Sequence, residues 1–276
     1  MPELPEVETV RAGLSPLITG RRVVCVEVRT LRLRRPVPPE MRQLMTGAIF
    51  IGVRRRGKYL LLDTDRGLTL LVHLGMTGRL LLERPGLRAD PAISARHDHV
   101  VMTLDDGKRL TYNDARRFGA IDVFRTDREH PSLAAMGPEP LDGAFGGEAI
   151  TRGFAGKRSP VKTALLDQSV VAGIGNIYAC EALWRARISP LRQAGSITGV
   201  EASRLACEIR SVLTDAIAAG GSSLRDYRNA AGERGGFQER FSVYGREGKP
   251  CPRCREPVIR TTQAGRSTFH CAGCQS

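Results

Sequence analysis

The 276-residue sequence is 41% hydrophobic, enough for two modest domains each with its own core. Lys and Arg number 42 against 29 Asp and Glu, a formal net charge of +13 that favours a polyanionic partner over an acidic one. No stretch reaches the roughly 18 consecutive apolar residues of a membrane span. Met1-Pro2-Glu3 lacks the basic-then-apolar opening of a secretory leader, so a cytoplasmic protein without a membrane partner is expected.

The spacing of Val7, Val10, Leu14 and Leu17 predicts a short helix over 5–17, closed by Gly20. From 21 to 124 the pattern reads as strands: the alternating Val24, Val26 and Val28, then Ala48 to Val53, Tyr59 to Leu62, Leu68 to Leu74, Val100 to Leu104, and Ile121 to Phe124. Turn pairs such as Asp106-Gly107 separate them and suggest a β-sandwich. Residues 125–147, with Gly137-Pro138-Glu139-Pro140, read as an interdomain hinge. Helical periodicity then fills 148–220, including a long amphipathic stretch from Val200 to Ala219 that carries Leu205, Ile209, Leu213 and Ile217 and stops at Gly220-Gly221. The polar, glycine-bearing segment 222–236 reads as a loop suited to covering a ligand.

Cys25, Cys180 and Cys207 are scattered, whereas Cys251, Cys254, Cys271 and Cys274 form two CxxC pairs in the last 26 residues. That spacing completes a tetrahedral thiolate set with no open coordination position, which predicts one structural Zn2+. Arg253, Arg255, Arg260 and Arg266 surround the pairs, as a hairpin aimed at phosphates would require. Gly173-Ile174-Gly175-Asn176 precedes a helical stretch, placing Asn176 as its N-cap, with free N–H groups that can hold a phosphate. Taken alone, such glycines mark only a turn between helices.

The small Pro2 permits removal of Met1, which would expose a secondary amine flanked by Glu3 and Glu6. An N-terminal amine titrates at about 8, so much of it is free base at neutral pH, against about one part in a thousand for an ordinary lysine. By themselves, Glu3 and Glu6 are ordinary helix-start carboxylates. Two further clusters, His73-Leu74-Gly75-Met76-Thr77-Gly78 and Tyr112-Asn113-Asp114-Ala115-Arg116-Arg117-Phe118-Gly119, fall between strands. Met76, Arg116 and Phe118 suit wedges that fill the gap left by an extruded base, although singly Met76 and Phe118 fit a core equally well. His73, His97, His99, His130 and His270 form no HExxH-like set, and His97-Asp98-His99 reads as a strand-edge pair.

In order along the chain, PELPEVETV, RRGKYL (55–60), HLGMTG, NDARRFG, LLDQSVVAGIGNIY (165–178), VYGREG and the four-cysteine tail together resemble the formamidopyrimidine-DNA glycosylase family over nearly the whole length. The resemblance implies an α+β protein with a β-sandwich and terminal catalytic helix over 1–130. A hinge and helix–two-turn–helix domain would cover 131–242, with residues 160–187 as the motif itself, and a zinc-finger hairpin would cover 243–276.

By the same resemblance, the partner is damaged double-stranded DNA and the chain excises oxidised purines as a monomer without a small-molecule cofactor. Pro2 is the nucleophile, Glu3 relays protons, and Lys58 and Arg266 lie at the lesion and its phosphate. Glu6, Met76, His97, Arg116, Phe118, Lys162, Asn176 and Tyr244 contact DNA, and segment 222–238 closes over the everted base. Two alternatives stand beside it: an endonuclease VIII-like enzyme for oxidised pyrimidines, and a zinc-dependent DNA-binding protein without catalysis.

Overall fold

A computed structural model of the protein describes residues 2–84, 86, 93–223 and 235–276. The chain divides into two compact units, Met1–Leu133 with Ala219–Gly236, and Ala134–Ala218 with Phe237–Ser276. Among the described residues no helix is long and apolar enough to cross a membrane.

The first unit opens with α1 (Leu4–Ile18). Glu3 is its N-cap and forms a capping box with Glu6, each side chain accepting the other's backbone N–H. Val7, Val10, Leu14 and Ile18 turn inward, while Leu17, expected on that face, is exposed. Eight strands follow among the described residues, with the short helix α2 (Met41–Met45) between the first two. They are β1 (Val23–Val28), β2 (Phe50–Arg56), β3 (Tyr59–Thr64), β4 (Leu68–His73), β5 (Arg79–Glu83), β6 (Asp98–Leu104), β7 (Arg109–Asn113) and β8 (Ala120–Arg125).

The strands form two antiparallel four-stranded sheets, ordered β1-β6-β7-β5 and β2-β3-β4-β8. One apolar cluster joins Val26, Leu80, Met102 and Leu110 of the first sheet to Leu60, Leu62, Leu70 and Val72 of the second, and takes in the inward face of α1. This is the sandwich that the strand pattern predicts. Strand β5, the short apolar run Leu80-Leu81-Leu82, is not among the strands expected, and β7 escapes the pattern because polar side chains interrupt it. Thr111 and Asn113 are buried in β7, and Asn113 donates from Nδ2 to Asp98 Oδ1 at 2.7 Å.

Segment 219–236, adjacent in sequence to the helical domain, packs with the first unit. Its stems meet at a bridge between Ser222 and Gly236, and Gly235 N–H donates to Ser223 Oγ at 2.9 Å. Residues 224–234, which include Asp226 and Tyr227 of the expected covering loop, lie outside the described residues.

The second unit follows a single turn, α3 (Pro131–Ala134), and contains α4 (Gly147–Phe154), α5 (Val161–Leu165), α6 (Asn176–Arg185) and α7 (Gly199–Ala218). Helices α4 and α7 pack closely because Gly147 lacks a Cβ, which would stand 2.3 Å from Ser203 Oγ. The hairpin β9 (Ile259–Gln263) and β10 (Arg266–His270) turns through Ala264 and Gly265, both with positive φ.

The Glu6 carboxylate is buried, with Oε2 accepting Glu3 N–H at 2.8 Å and Oε1 accepting Ser222 N–H at 2.7 Å and Ser222 Oγ at 3.0 Å. Glu6→Gln puts an amide donor where one acceptor is needed, at a cost of about 1–3 kcal/mol. Thermal unfolding is expected about 5 °C lower, and an unchanged midpoint would contradict this role.

Candidate active site and metal centre

Pro2, Glu3, Glu6 and Lys58 are all buried in the first unit. Lys58 occupies the two-residue turn that links β2 to β3, where Gly57 takes φ +53°. Arg55 ties that turn to α1, donating from Nε to Glu8 Oε2 and from Nη1 to the Gly57 carbonyl, each at 3.0 Å. Glu8 and Arg55 therefore orient the lysine turn. Sequence reasoning assigned neither a role, although each belongs to a motif it singled out.

His73 closes β4 opposite Tyr59, with ring centroids 4.7 Å apart. Its Nδ1 accepts Gly75 N–H at 3.1 Å, which leaves the ring proton on Nε2. Burial, reinforced by the positive charges of Lys58, Arg34 and Arg35, pushes its pKa down to about 4. His73 is thus a neutral donor within a strongly basic neighbourhood, a role that the absence of a metal-type histidine pattern concealed. Arg34 and Arg35 line a cavity of about 70 Å³ together with His73, Asp122 and His130.

On the sandwich rim, the buried Asp114 organises two turns at once. Its Oδ1 accepts Thr77 Oγ1 at 2.6 Å and Arg116 N–H at 3.2 Å, and its Oδ2 accepts Gly119 N–H at 2.8 Å. Gly75 (φ +61°) seats one turn against the other, because a Cβ there would lie 2.4 Å from the Gly119 nitrogen. The turns hold Met76 and Phe118 in solvent at 39% and 45% exposure, which rejects the core alternative for both. Arg116 places its guanidinium 4.5 Å from the Phe118 ring centroid. His97 stands apart in the 3-10 turn before β6, where its Nε2 accepts Arg96 Nε at 3.0 Å. Its neighbour His99 is buried, bonded to Thr30 Oγ1 and the Asp114 carbonyl.

In the second unit Asn176 is the first helical residue of α6, and Gly175 takes the N-cap position expected of it. The side chain is thereby released to donate from Nδ2 to the Ser267 carbonyl at 2.8 Å and towards Tyr244 Oη at 3.5 Å. Ser267 adjoins the exposed Arg266, so Asn176, Tyr244 and the start of β10 form one group. Glu181, one of the residues sequence reasoning missed, is fully buried and accepts the backbone N–H groups of Ser242, Val243 and Tyr244. Burial pushes its carboxyl above the usual range even against those donors. Lys162 is fully buried within α5, not on the basic surface.

The sulfurs of Cys251, Cys254, Cys271 and Cys274 lie within 4.8 Å of one another, so the four cysteines are positioned to bind a metal ion. Tetrahedral Zn–S bonds of about 2.3 Å set sulfur–sulfur separations of about 3.8 Å, and Cys251 and Cys274 stand at 3.9 Å. Although burial opposes it, N–H donors from Cys254, Arg253 and Trp184 bring the Cys251 thiol down to about 6.

A β-sandwich headed by a proline-led helix, joined to helix–two-turn–helix and four-cysteine hairpin elements, defines a class of DNA-repair glycosylase. The family model for the formamidopyrimidine-DNA glycosylase N-terminal domain matches residues 1–121, and that for its H2TH domain matches 136–228. The formamidopyrimidine-DNA glycosylase of Paracoccus denitrificans (strain Pd 1222) is 56% identical over 281 residues, covering all of both chains. Wild-type Lactococcus lactis Fpg (MutM), solved with DNA containing N7-benzyl-Fapy-dG, superposes with a TM-score of 0.89 at 32% identity, covering 99% of each chain. A MutM structure with DNA containing carbocyclic 8-oxo-G gives 0.89 at 33% identity, with the same coverage. This chain belongs to the formamidopyrimidine-DNA glycosylase family.

Because His73 ordinarily titrates at 6.5 and is held at about 4 in the fold, the unfolded chain binds the extra proton between these values. Stability is therefore complete above pH 6.5 and declines as pH falls towards 4. Replacing His73 with Asn should flatten this part of the curve in pH-dependent denaturation, and an unchanged slope would contradict a neutral, half-buried imidazole.

Proposed function

We propose that this chain is a bifunctional DNA glycosylase and abasic-site lyase that removes oxidised purines, both formamidopyrimidines and 8-oxoguanine, from duplex DNA. The observation that carries the proposal is Pro2 itself, buried beside the Glu3–Glu6 capping box in a member of this family. Once Met1 is removed, the proline nitrogen is a secondary amine, and the positive end of α1 favours its neutral form.

The amine attacks the sugar C1′, forming an N–C1′ bond as the C1′–base bond breaks and the base leaves with the electron pair and a proton. Glu3 relays protons as the sugar ring opens, leaving a cationic Schiff base. Loss of a C2′ proton expels the 3′ phosphate by β-elimination, and δ-elimination then expels the 5′ phosphate. The product is a one-nucleotide gap, and hydrolysis of the remaining imine frees Pro2.

Lys58 lies near the lesion and its phosphate in this reading, and Glu6 acts from within, fixing the helix start to Ser222. Met76 and Phe118, already in solvent, fill the vacated stack, while Arg116 donates to the acceptors of an opposing cytosine. His97 contacts DNA from the turn before β6. Asn176, Tyr244 and Arg266 serve the phosphates, and segment 222–238 closes over the everted base. The four cysteines hold one Zn2+, which when bound fixes the finger and offers no open position for chemistry. The enzyme works as a monomer in the bacterial cytoplasm, on the nucleoid when bound to DNA, and needs no small-molecule cofactor.

Duplexes that differ only in a single 8-oxoguanine or a single oxidised pyrimidine test the substrate class. The 8-oxoguanine strand opposite cytosine should be cut faster, and Arg116→Ala should lessen discrimination against adenine opposite by about 1–3 kcal/mol. Faster cutting of the pyrimidine lesion would favour the endonuclease VIII-like alternative. No cutting of either would favour a binding protein without catalysis.

A further inference from the structure

Trp184, the single tryptophan of the chain, lies in the last turn of α6. Its indole Nε1–H donates to Cys251 Sγ at 3.4 Å. Arg253, between the first two cysteines, covers the indole with its guanidinium 4.3 Å from the ring centroid. The same arginine donates from Nη1 to the Trp184 carbonyl at 3.2 Å, and from its backbone N–H to Cys251 Sγ at 3.5 Å. One metal-facing sulfur is thus bonded both to its own knuckle and to a helix that lies outside the finger.

The second knuckle is attached differently. Gln275 accepts Cys271 N–H at 2.8 Å and donates to the Ile188 carbonyl at 2.9 Å, so it supports a ligand's backbone without touching sulfur. At the opposite end of α6, Asn176 holds the Ser267 carbonyl beside Arg266. The helix therefore grips the finger twice, once at the phosphate-facing strand and once at a metal-facing sulfur. An N–H···S bond withdraws charge from a thiolate and fixes its direction, and outer partners of this kind commonly change metal affinity by about 10- to 100-fold.

We propose that Trp184 is a positioning residue of the metal centre, one that locks the Cys251 sulfur to α6 and so couples metal retention to the helix that carries Asn176. The proposal rests on the metal-binding reading of the four cysteines. It also makes the emission of this tryptophan an intrinsic signal of metal occupancy, since loss of the metal frees the sulfur that its N–H addresses.

Trp184→Phe tests this, because it keeps an aromatic face for Arg253 and removes only the N–H donor. Zinc content and the rate of zinc transfer to a colorimetric chelator are measured on the full-length protein, with circular dichroism to check the fold. Wild type should hold one zinc, and the variant should release it about tenfold faster or more. In wild type, which requires no variant to fold, the tryptophan emission should change at the same rate as zinc appears on the chelator. Equal release rates in the two proteins, or emission that ignores zinc loss, would overturn the role of Trp184 alone. A wild-type protein purified without zinc would overturn the metal reading, and this inference with it.

Discussion

A buried carboxylate must find donors for its oxygens or become protonated, and Glu6 meets this requirement in a way that fixes the start of α1. One oxygen accepts the N–H of Glu3 and closes the helix start, while the other accepts both donors of Ser222. The residue that follows Pro2 and the stem of segment 219–236 are thereby referred to a single charge, although more than 200 residues separate them in sequence. Arg55, reaching from Glu8 to the Gly57 carbonyl, refers the Lys58 turn to the same helix. Glu3, Glu6 and the turn that carries Lys58 are therefore held by hydrogen bonds with α1 as their common member.

The same device recurs at Asp114 and Glu181. Each is an acidic side chain without exposed surface, and each gathers backbone N–H groups from a turn that carries a candidate site residue. Asp114 presents Met76, Arg116 and Phe118, and Glu181 presents Tyr244. In a chain of formal charge +13, these acids lie inside while Arg116 and Arg266 lie outside. The buried carboxylates supply rigid supports, and the surplus cations remain free to meet phosphates.

The fold was legible where apolar spacing is undisturbed. The first helix, six of the eight sandwich strands and the long helix ending at Gly220 appear in the sequence within a few residues of their observed bounds. Strand β7 was not, because its buried Thr111 and Asn113 mimic a solvent face, and neither was β5, whose three consecutive leucines show no alternation. The four cysteines and the family motifs exposed most of the candidate site. The supporting residues Arg55, His73, Asp114, Glu181 and Trp184 were hidden, since their significance lies in partners far away in sequence. The N-cap assignment of Asn176 failed for a related reason: its amide is drawn to the Ser267 carbonyl, and Gly175 begins the helix without it.

The central claim, that the amine of Pro2 is the nucleophile, is tested most directly by trapping it. Protein with verified removal of Met1 is incubated with a duplex carrying one 8-oxoguanine opposite cytosine, reduced with borohydride, and digested for mass spectrometry. The account predicts a stable adduct on Pro2 and on no other residue. An adduct on Lys58 or another lysine, or cleavage of the strand with no adduct at all, would contradict it.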